Sequence, residues 1–366
     1  MSIRRIGISV IAGLSVLSFR LSAQAGEAAV PLKAGIIGLD TSHAVAFTKL
    51  LSDPHPRREL AGVRVVAAYP GGSPDVPKSW DTLPKYTDEV RALGVEVVDS
   101  IPELLEKVDV VMLLSRDGRP HLEQVKPVFA AGKPVFIDKP VAASLADVVR
   151  IYRLAAEHKV PCFSSSSLRF SPSVSRMRND PRVGRVVGCA AYSPNKVLEP
   201  THPDLFYYGI HGVETLFTIM GTGCKSVTRV HAKGTDVVVG VWEDGRIGTF
   251  RGIRSGRGAF GATVFGTKGI VAIDDLEGYQ PLVIEIVKFF TSGKPPVGAE
   301  ETLEIYAFME AADESKRRGG CPVLLDEVLR KARRDAADRA DRGPRAVPPG
   351  ASDRPRQEKR VKNPYD

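Results

Sequence analysis

The sequence predicts an α/β protein: a Rossmann-like doubly wound parallel sheet followed by an α+β domain with an open, mainly antiparallel sheet. Three observations carry this. From residue 33 to about 167, short apolar runs alternate with helical patterns, the rhythm of strand–helix–strand units. Beyond residue 167, strand-like segments follow one another across glycine-containing turns. The chain has 366 residues, enough for two cores of ordinary size.

In the first half the strands are expected at 34–37, 63–68, 95–98, 108–114, 134–137 and 161–163. Helical patterns lie between most of them, among them 120–131, stopped by Gly132, and 145–158. Pro127 falls inside the first of these helices and is expected to kink it. In the second half the strands are expected at 184–193, 226–232, 237–242, 248–253, 261–265 and 269–274, as an antiparallel meander. Helices at about 206–220, 282–291 and 300–317 complete that domain.

The two ends read differently from the body. Arg4 and Arg5 precede an apolar run and then Ala23-Gln24-Ala25, which predicts a signal peptide over 1–25 with an A-x-A cleavage site and export to the periplasm or outside the cell. The run is too short, and too broken by Arg20, for a spanning helix. A linker at 26–32 leads to a Rossmann-like domain at 33–167 and a substrate and oligomerisation domain at 168–326. Residues 330–366 hold twelve Lys or Arg against six Asp or Glu, so 327–366 reads as a basic, disordered tail. The net charge of +8 therefore sits at the ends, and a near-neutral body argues against a nucleic-acid partner. Cys162, Cys189, Cys224 and Cys321 form no C-x-x-C pair, so metal and redox motifs of that type are absent.

Ligands of open parallel sheets sit outside the carboxyl ends of the strands. Two places there are informative. Lys139 ends the run Pro134-Val135-Phe136-Ile137-Asp138 and precedes Pro140, so its ammonium reaches a bound cofactor and substrate. The first strand runs into Gly38-Leu39-Asp40-Thr41-Ser42-His43, where a dinucleotide fingerprint has G-x-G-x-x-G. Only Gly38 matches; Asp40 and His43 stand at the other glycines. A carboxylate facing pyrophosphate is repelled, so either Asp40 turns away to cap the helix, leaving Thr41 and Ser42 for phosphate, or no dinucleotide binds. At the end of the second strand, Tyr69 replaces the acid that usually takes the ribose hydroxyls, which leaves NAD and NADP equally open.

These residues resemble the Gfo/Idh/MocA oxidoreductases. The segment Ser115-Arg116-Asp117-Gly118-Arg119-Pro120-His121 and the run Ala131-Gly132-Lys133-Pro134 to Pro140 carry the likeness, with Asp138-Lys139-Pro140 matching the E-K-P signature. Ser167-Leu168-Arg169-Phe170-Ser171-Pro172 is similar to the segment that opens the family's second domain, and Gly209-Ile210-His211-Gly212-Val213-Glu214 to its G-x-H-x-x-D helix. The resemblance covers about residues 33–325. It implies NAD(P)-dependent oxidation or reduction of a secondary alcohol in a sugar, cyclitol or related carbohydrate, and a homo-oligomer formed through the second-domain sheet.

By position the resemblance implies Lys139 and His211 as catalytic residues, with His211 the base that takes the hydroxyl proton and Lys139 holding the same oxygen. The family's aspartate four residues before the histidine is Tyr207 here, a third expected catalytic residue whose phenol is to hydrogen-bond His211 or the substrate but carries no charge near neutral pH. Glu214 or Asp204 is expected to stand in for that acid, and Arg169, Glu214 and Asp204 to bind substrate. Gly38, Asp40, Thr41, Ser42, His43, Tyr69, Ser115, His121 and Asp138 are the expected cofactor residues. His202, Asp204, His211 and Glu214 do not define a coordination geometry, so no metal is expected. Two alternatives stay open: an NAD-dependent glycoside hydrolase of the same fold, and a carbohydrate-binding protein that has lost its cofactor.

Overall fold

The structure, a computed structural model, describes residues 30–195, 202–274 and 278–341. The expected signal peptide and the end of the expected tail lie outside those residues. Six strands, Leu32–Ile37 (β1), Val63–Tyr69 (β2), Glu96–Val97 (β3), Val110–Leu113 (β4), Val135–Ile137 (β5) and Cys162–Ser164 (β6), form one sheet in the order β3-β2-β1-β4-β5-β6. All five pairings are parallel. The order reverses between β1 and β4, the place where sheets of this kind bind ligands in the crevice outside the carboxyl ends of the strands.

Helices Ser42–Leu51 (α1), Pro77–Ala92 (α2), Ile101–Lys107 (α3), His121–Ala130 (α4) and Leu145–His158 (α5) connect these strands. Their ends follow local chemistry: Ser100 and Ser144 accept from Glu103 and Asp147 backbone N–H groups at the starts of α3 and α5. Neither α2 nor α3 follows from the apolar period; α2 buries only Ser79 and Val90, so its pattern is almost entirely polar. Pro127 lies within α4.

After the short helix Pro172–Ser175 (α6), the second sheet comprises Val186–Pro194 (β7), Cys224–Ala232 (β8), Thr235–Trp242 (β9), Ile247–Ile253 (β10), Gly261–Gly266 (β11), Ile270–Ile273 (β12) and Val323–Leu324 (β13). Its order is β12-β11-β7-β10-β9-β8-β13, and β7 pairs parallel to β10. The expected meander is thus corrected. β7 is inserted between β10 and β11, which no turn signal at the strand ends encodes.

The helix Ile210–Met220 (α7) lies against β7 and β10, and Ala299–Arg317 (α9) against β8, together covering one face of that sheet. Gly212 permits the close approach of α7, because a Cβ there would stand 2.4 Å from the Phe250 ring of β10. The helix Gln280–Ser292 (α8) returns to the first domain, where Phe289 meets Phe163 edge-on at 5.0 Å between ring centroids. Leu325–Asp341 (α10) corrects the expected tail. It packs on α5 and α9, burying Val328, Ala332 and Ala336. Spacing of four residues puts those three on one stripe, and the surrounding charge hides it in composition. Cys162, Cys189, Cys224 and Cys321 are free thiols.

Candidate active site

The crevice at the β1/β4 switch point is built from four loops. β1 ends in Gly38, whose φ of 97° is open to glycine, and whose added Cβ would lie 2.3 Å from the Ser115 backbone nitrogen. Thr41 caps α1 by accepting from the His43 N–H. Asp40 does not cap the helix. It is fully buried, its Oδ2 accepting from Ser79 Oγ at 2.5 Å and its Oδ1 from the Arg116 N–H at 3.0 Å. The carboxylate that seemed to oppose a pyrophosphate therefore faces the start of α2 and the β4 loop.

With that charge turned inward, the residues fit a dinucleotide. The N-terminal turn of α1 offers backbone N–H groups beside exposed Ser42, the arrangement that takes phosphate. Gly38 and Gly71 approach closely enough that a Cβ on Gly71 would meet the Gly38 Cα at 3.6 Å. Tyr69 ends β2 at the same rim, half-buried. His43 is removed from the helix mouth, its Nδ1 lying 2.5 Å from Asp138 Oδ2 while its ring stacks on Phe47 and meets Tyr279 edge-on. Burial raises the Asp138 carboxyl, but the His43 and Lys139 charges outweigh it and hold the group below the usual range.

Two expected cofactor residues act on loops instead. Ser115 donates to Gln124 Oε1 at 3.0 Å. His121 is fully buried, with Nε2 at 2.8 Å from the Ser115 carbonyl and Nδ1 at 3.1 Å from the Val141 carbonyl. It therefore ties the β4 and β5 loops together, a correction to its expected cofactor contact.

Lys139 follows β5, and its bond to Pro140 is cis. Its backbone N–H donates to Asp138 Oδ1, while its Nζ lies 5.7 Å from the ring centroids of both Tyr207 and Tyr208. Burial, then the nearby Arg116 charge, lowers its ammonium from the ordinary value against the opposing pull of Asp138. His211, in the first turn of α7, has the Tyr208 ring at 5.3 Å and the Phe260 ring at 5.8 Å. Burial, and then the Lys139 and His43 charges, push its imidazole well below the ordinary histidine value. The two domains thus bring an ammonium and a neutral imidazole to the same Tyr208 ring.

The orienting group for His211 is neither Tyr207, Glu214 nor Asp204. Ser166 Oγ lies 2.7 Å from His211 Nδ1. Tyr207 precedes α7 rather than belonging to it, so the four-residue spacing does not place it on the histidine's helical face. Its hydroxyl accepts from Arg116 Nη1 at 3.2 Å. Glu214 is buried, accepting from Ser165 Oγ, the Ser166 N–H and Arg169 Nε. Arg169 also reaches Glu301 at 2.7 Å, so Arg169 and Glu214 form a buried ion pair beneath the cleft and not a substrate contact. Asp204 joins Arg229, Arg254 and Lys316 at the far end of the second sheet. His202 Nε2 lies 3.0 Å from Asp117 Oδ1, whereas His211 and Glu214 both meet Ser166.

Arg116 is the site residue the expectations omit. It touches Asp40 twice, through its backbone N–H and through Nε to the carbonyl, and Tyr207 once, across 91 positions of sequence. Asp40 was the available sign, since a buried carboxylate in place of a glycine needs donors. Nothing local names Arg116 as the donor.

A parallel sheet in the order β3-β2-β1-β4-β5-β6 with a glycine turn after β1 is the Rossmann arrangement that holds dinucleotides. Residues 32–166 match the model of the Gfo/Idh/MocA oxidoreductase family with an NAD-binding Rossmann fold. Among solved structures it is similar to scyllo-inositol dehydrogenase from Lactobacillus casei with bound NAD(H) and scyllo-inositol, at 16% identity and TM-score 0.65 over 81% of this chain and 99% of that one. It is also similar to an oxidoreductase from Agrobacterium radiobacter in complex with NAD+, L-tartaric acid and magnesium, at 17% identity and TM-score 0.65 over 81% and 99%. No curated protein matches the sequence.

Proposed function

We propose that this enzyme oxidises or reduces a secondary alcohol carbon of a polyhydroxylated compound of the sugar or cyclitol type. The observation that carries the reading is that Lys139 from one domain and His211 from the other both stand against the Tyr208 ring, where burial disfavours the charged form of each. When bound, the nicotinamide accepts or supplies the hydride. The chain does the rest. With Nδ1–H donated to Ser166 Oγ, the Nε2 lone pair of His211 is the proton acceptor for the substrate hydroxyl. The Lys139 ammonium stabilises the oxygen as charge develops on it. Tyr207, Tyr208 and Phe260 wall the cleft and exclude water around the reacting group.

Neighbours of the same fold bound to scyllo-inositol or L-tartaric acid support a substrate with a secondary hydroxyl. The inward turn of Asp40 removes one of the reasons for a cofactor-free reading. Export rests on the N-terminal sequence alone. Homo-oligomerisation is supported by the second sheet's other face, where Val230, Val241, Ile247, Phe265, Ile270 and Leu324 are exposed.

The test is a polyol and sugar-acid panel with NAD and NADP, comparing wild type with Lys139→Ala and His211→Gln. Each substitution is expected to lower kcat/KM by about a hundredfold or more while leaving thermal unfolding intact. Turnover within a few-fold of wild type in both variants rejects this site.

A further inference from the structure

We infer that the substrate of this site carries a carboxylate close to its reacting carbinol, and that Arg116 is the residue that recognises it. The inference deepens the reading of the cleft as an alcohol oxidoreductase site and rests on it.

Two cations converge on the cleft from different loops, Arg116 from the end of β4 and Lys139 from the end of β5. Both are partly exposed, and among the described residues neither side chain has a carboxylate oxygen within 4 Å. The acids nearest to them are already satisfied and buried. Asp40 receives Ser79 Oγ and the Arg116 N–H, and Asp138 receives His43 and the Lys139 N–H. Negative charge therefore points into the protein and positive charge into the crevice. An arginine spending only Nε and one Nη1 hydrogen, on a carbonyl and a phenol, keeps the rest of its fork for a planar oxyanion.

Cofactor pyrophosphate is the other oxyanion that such a fork accepts. Position favours the substrate. Arg116 reaches Tyr207, whose ring stands against Lys139 Nζ, so the guanidinium lies on the lysine side of the crevice. Phosphate has its own donors at the N-terminal turn of α1.

Binding is the measurement, made by calorimetry on the full chain with NADH present. The probes are D-glucuronate and D-gluconate beside neutral D-glucose and D-glucitol. At least one acid is expected to bind about tenfold to a hundredfold more tightly than its neutral partner, the range a charge-assisted pair supplies. Arg116→Met is expected to erase that preference while NADH affinity, read by fluorescence, stays within about threefold. Arg116→Lys, which keeps the charge and loses the fork, is expected to retain part of it. Neutral compounds binding as well as the acids, or no acid binding, overturns the proposal. So does an Arg116→Met variant that loses NADH affinity in proportion, which assigns the residue to cofactor phosphate. A chain that binds acids through Arg116 yet reduces no cofactor fails the redox reading and keeps this one.

Discussion

The role proposed for His211 as base follows from its burial. A histidine in water is half protonated near 6.5, but here burial and the facing Lys139 charge keep the imidazole neutral far below that value. In the oxidising direction kcat/KM is therefore expected to stay level as pH falls from 8 to about 6.5, with its acid limb well lower. A pH–rate profile bending at or above 6.5 would contradict this. The same shift affects stability with a definite sign. The unfolded chain binds a proton on His211 before the folded one does, so stability is lost as pH falls below about 6.5, by up to about 1.4 kcal/mol per pH unit. His211→Gln is expected to flatten that dependence in thermal unfolding. Ser166 acts through His211: removing its hydroxyl with Ser166→Ala frees the ring to take either tautomer. Roughly a tenfold loss of kcat is expected, together with a displaced acid limb that a purely structural role would leave in place.

At the scale of elements, the turn from β1 into α1 shows a fingerprint glycine replaced without losing the fit to a dinucleotide. Asp40→Gly restores the sequence motif, yet it strips acceptors from Ser79 Oγ and the Arg116 N–H. It is expected to cost about 1–3 kcal/mol and to leave NAD affinity no tighter, as denaturant titration and cofactor fluorescence will read. Gly38→Ala meets strain from its φ of 97° and a backbone collision at 2.3 Å. Strain alone is on the order of 1–3 kcal/mol, and the β4 loop must shift. Cofactor binding should fall with it. A Gly38→Ala variant as stable as wild type would mean the turn is not built as described.

Across the whole molecule, the second domain is held by a charge that never meets water. The Arg229 side chain is 0% exposed and reaches Asp204, Asp236 and Asp313 from β8. Burial raises Asp313 to about 7, although Arg229 opposes the shift. Arg229→Leu leaves three acids without their common partner and is expected to destabilise the fold by about 3–5 kcal/mol, measured by chemical denaturation. The uncovered face of the same sheet makes a separate prediction. Under the proposed homo-oligomer, Ile270→Lys is expected to lower the mass read by light scattering with little change in the protomer's unfolding.

Local sequence was enough for the strands of the Rossmann half, since parallel strands buried on both faces read as short apolar runs and Gly38 and Lys139 mark where two of them end. It also placed His211 on a helix, expected from about residue 206 and found to begin at Ile210. It erred where structure depends on partners far along the chain. The polar helix α2 and the charged α10 carry too few apolar side chains for period to reveal them, and the insertion of β7 between β10 and β11 is a matter of pairing. The partners of Asp40, His211 and Asp204 lie 76, 45 and 25 positions away. A side chain's type follows from the gene, but whether its charge faces the crevice or the core follows from what folding sets beside it. That is why Arg116 emerged, and Arg169 and Asp204 left the site, only in three dimensions.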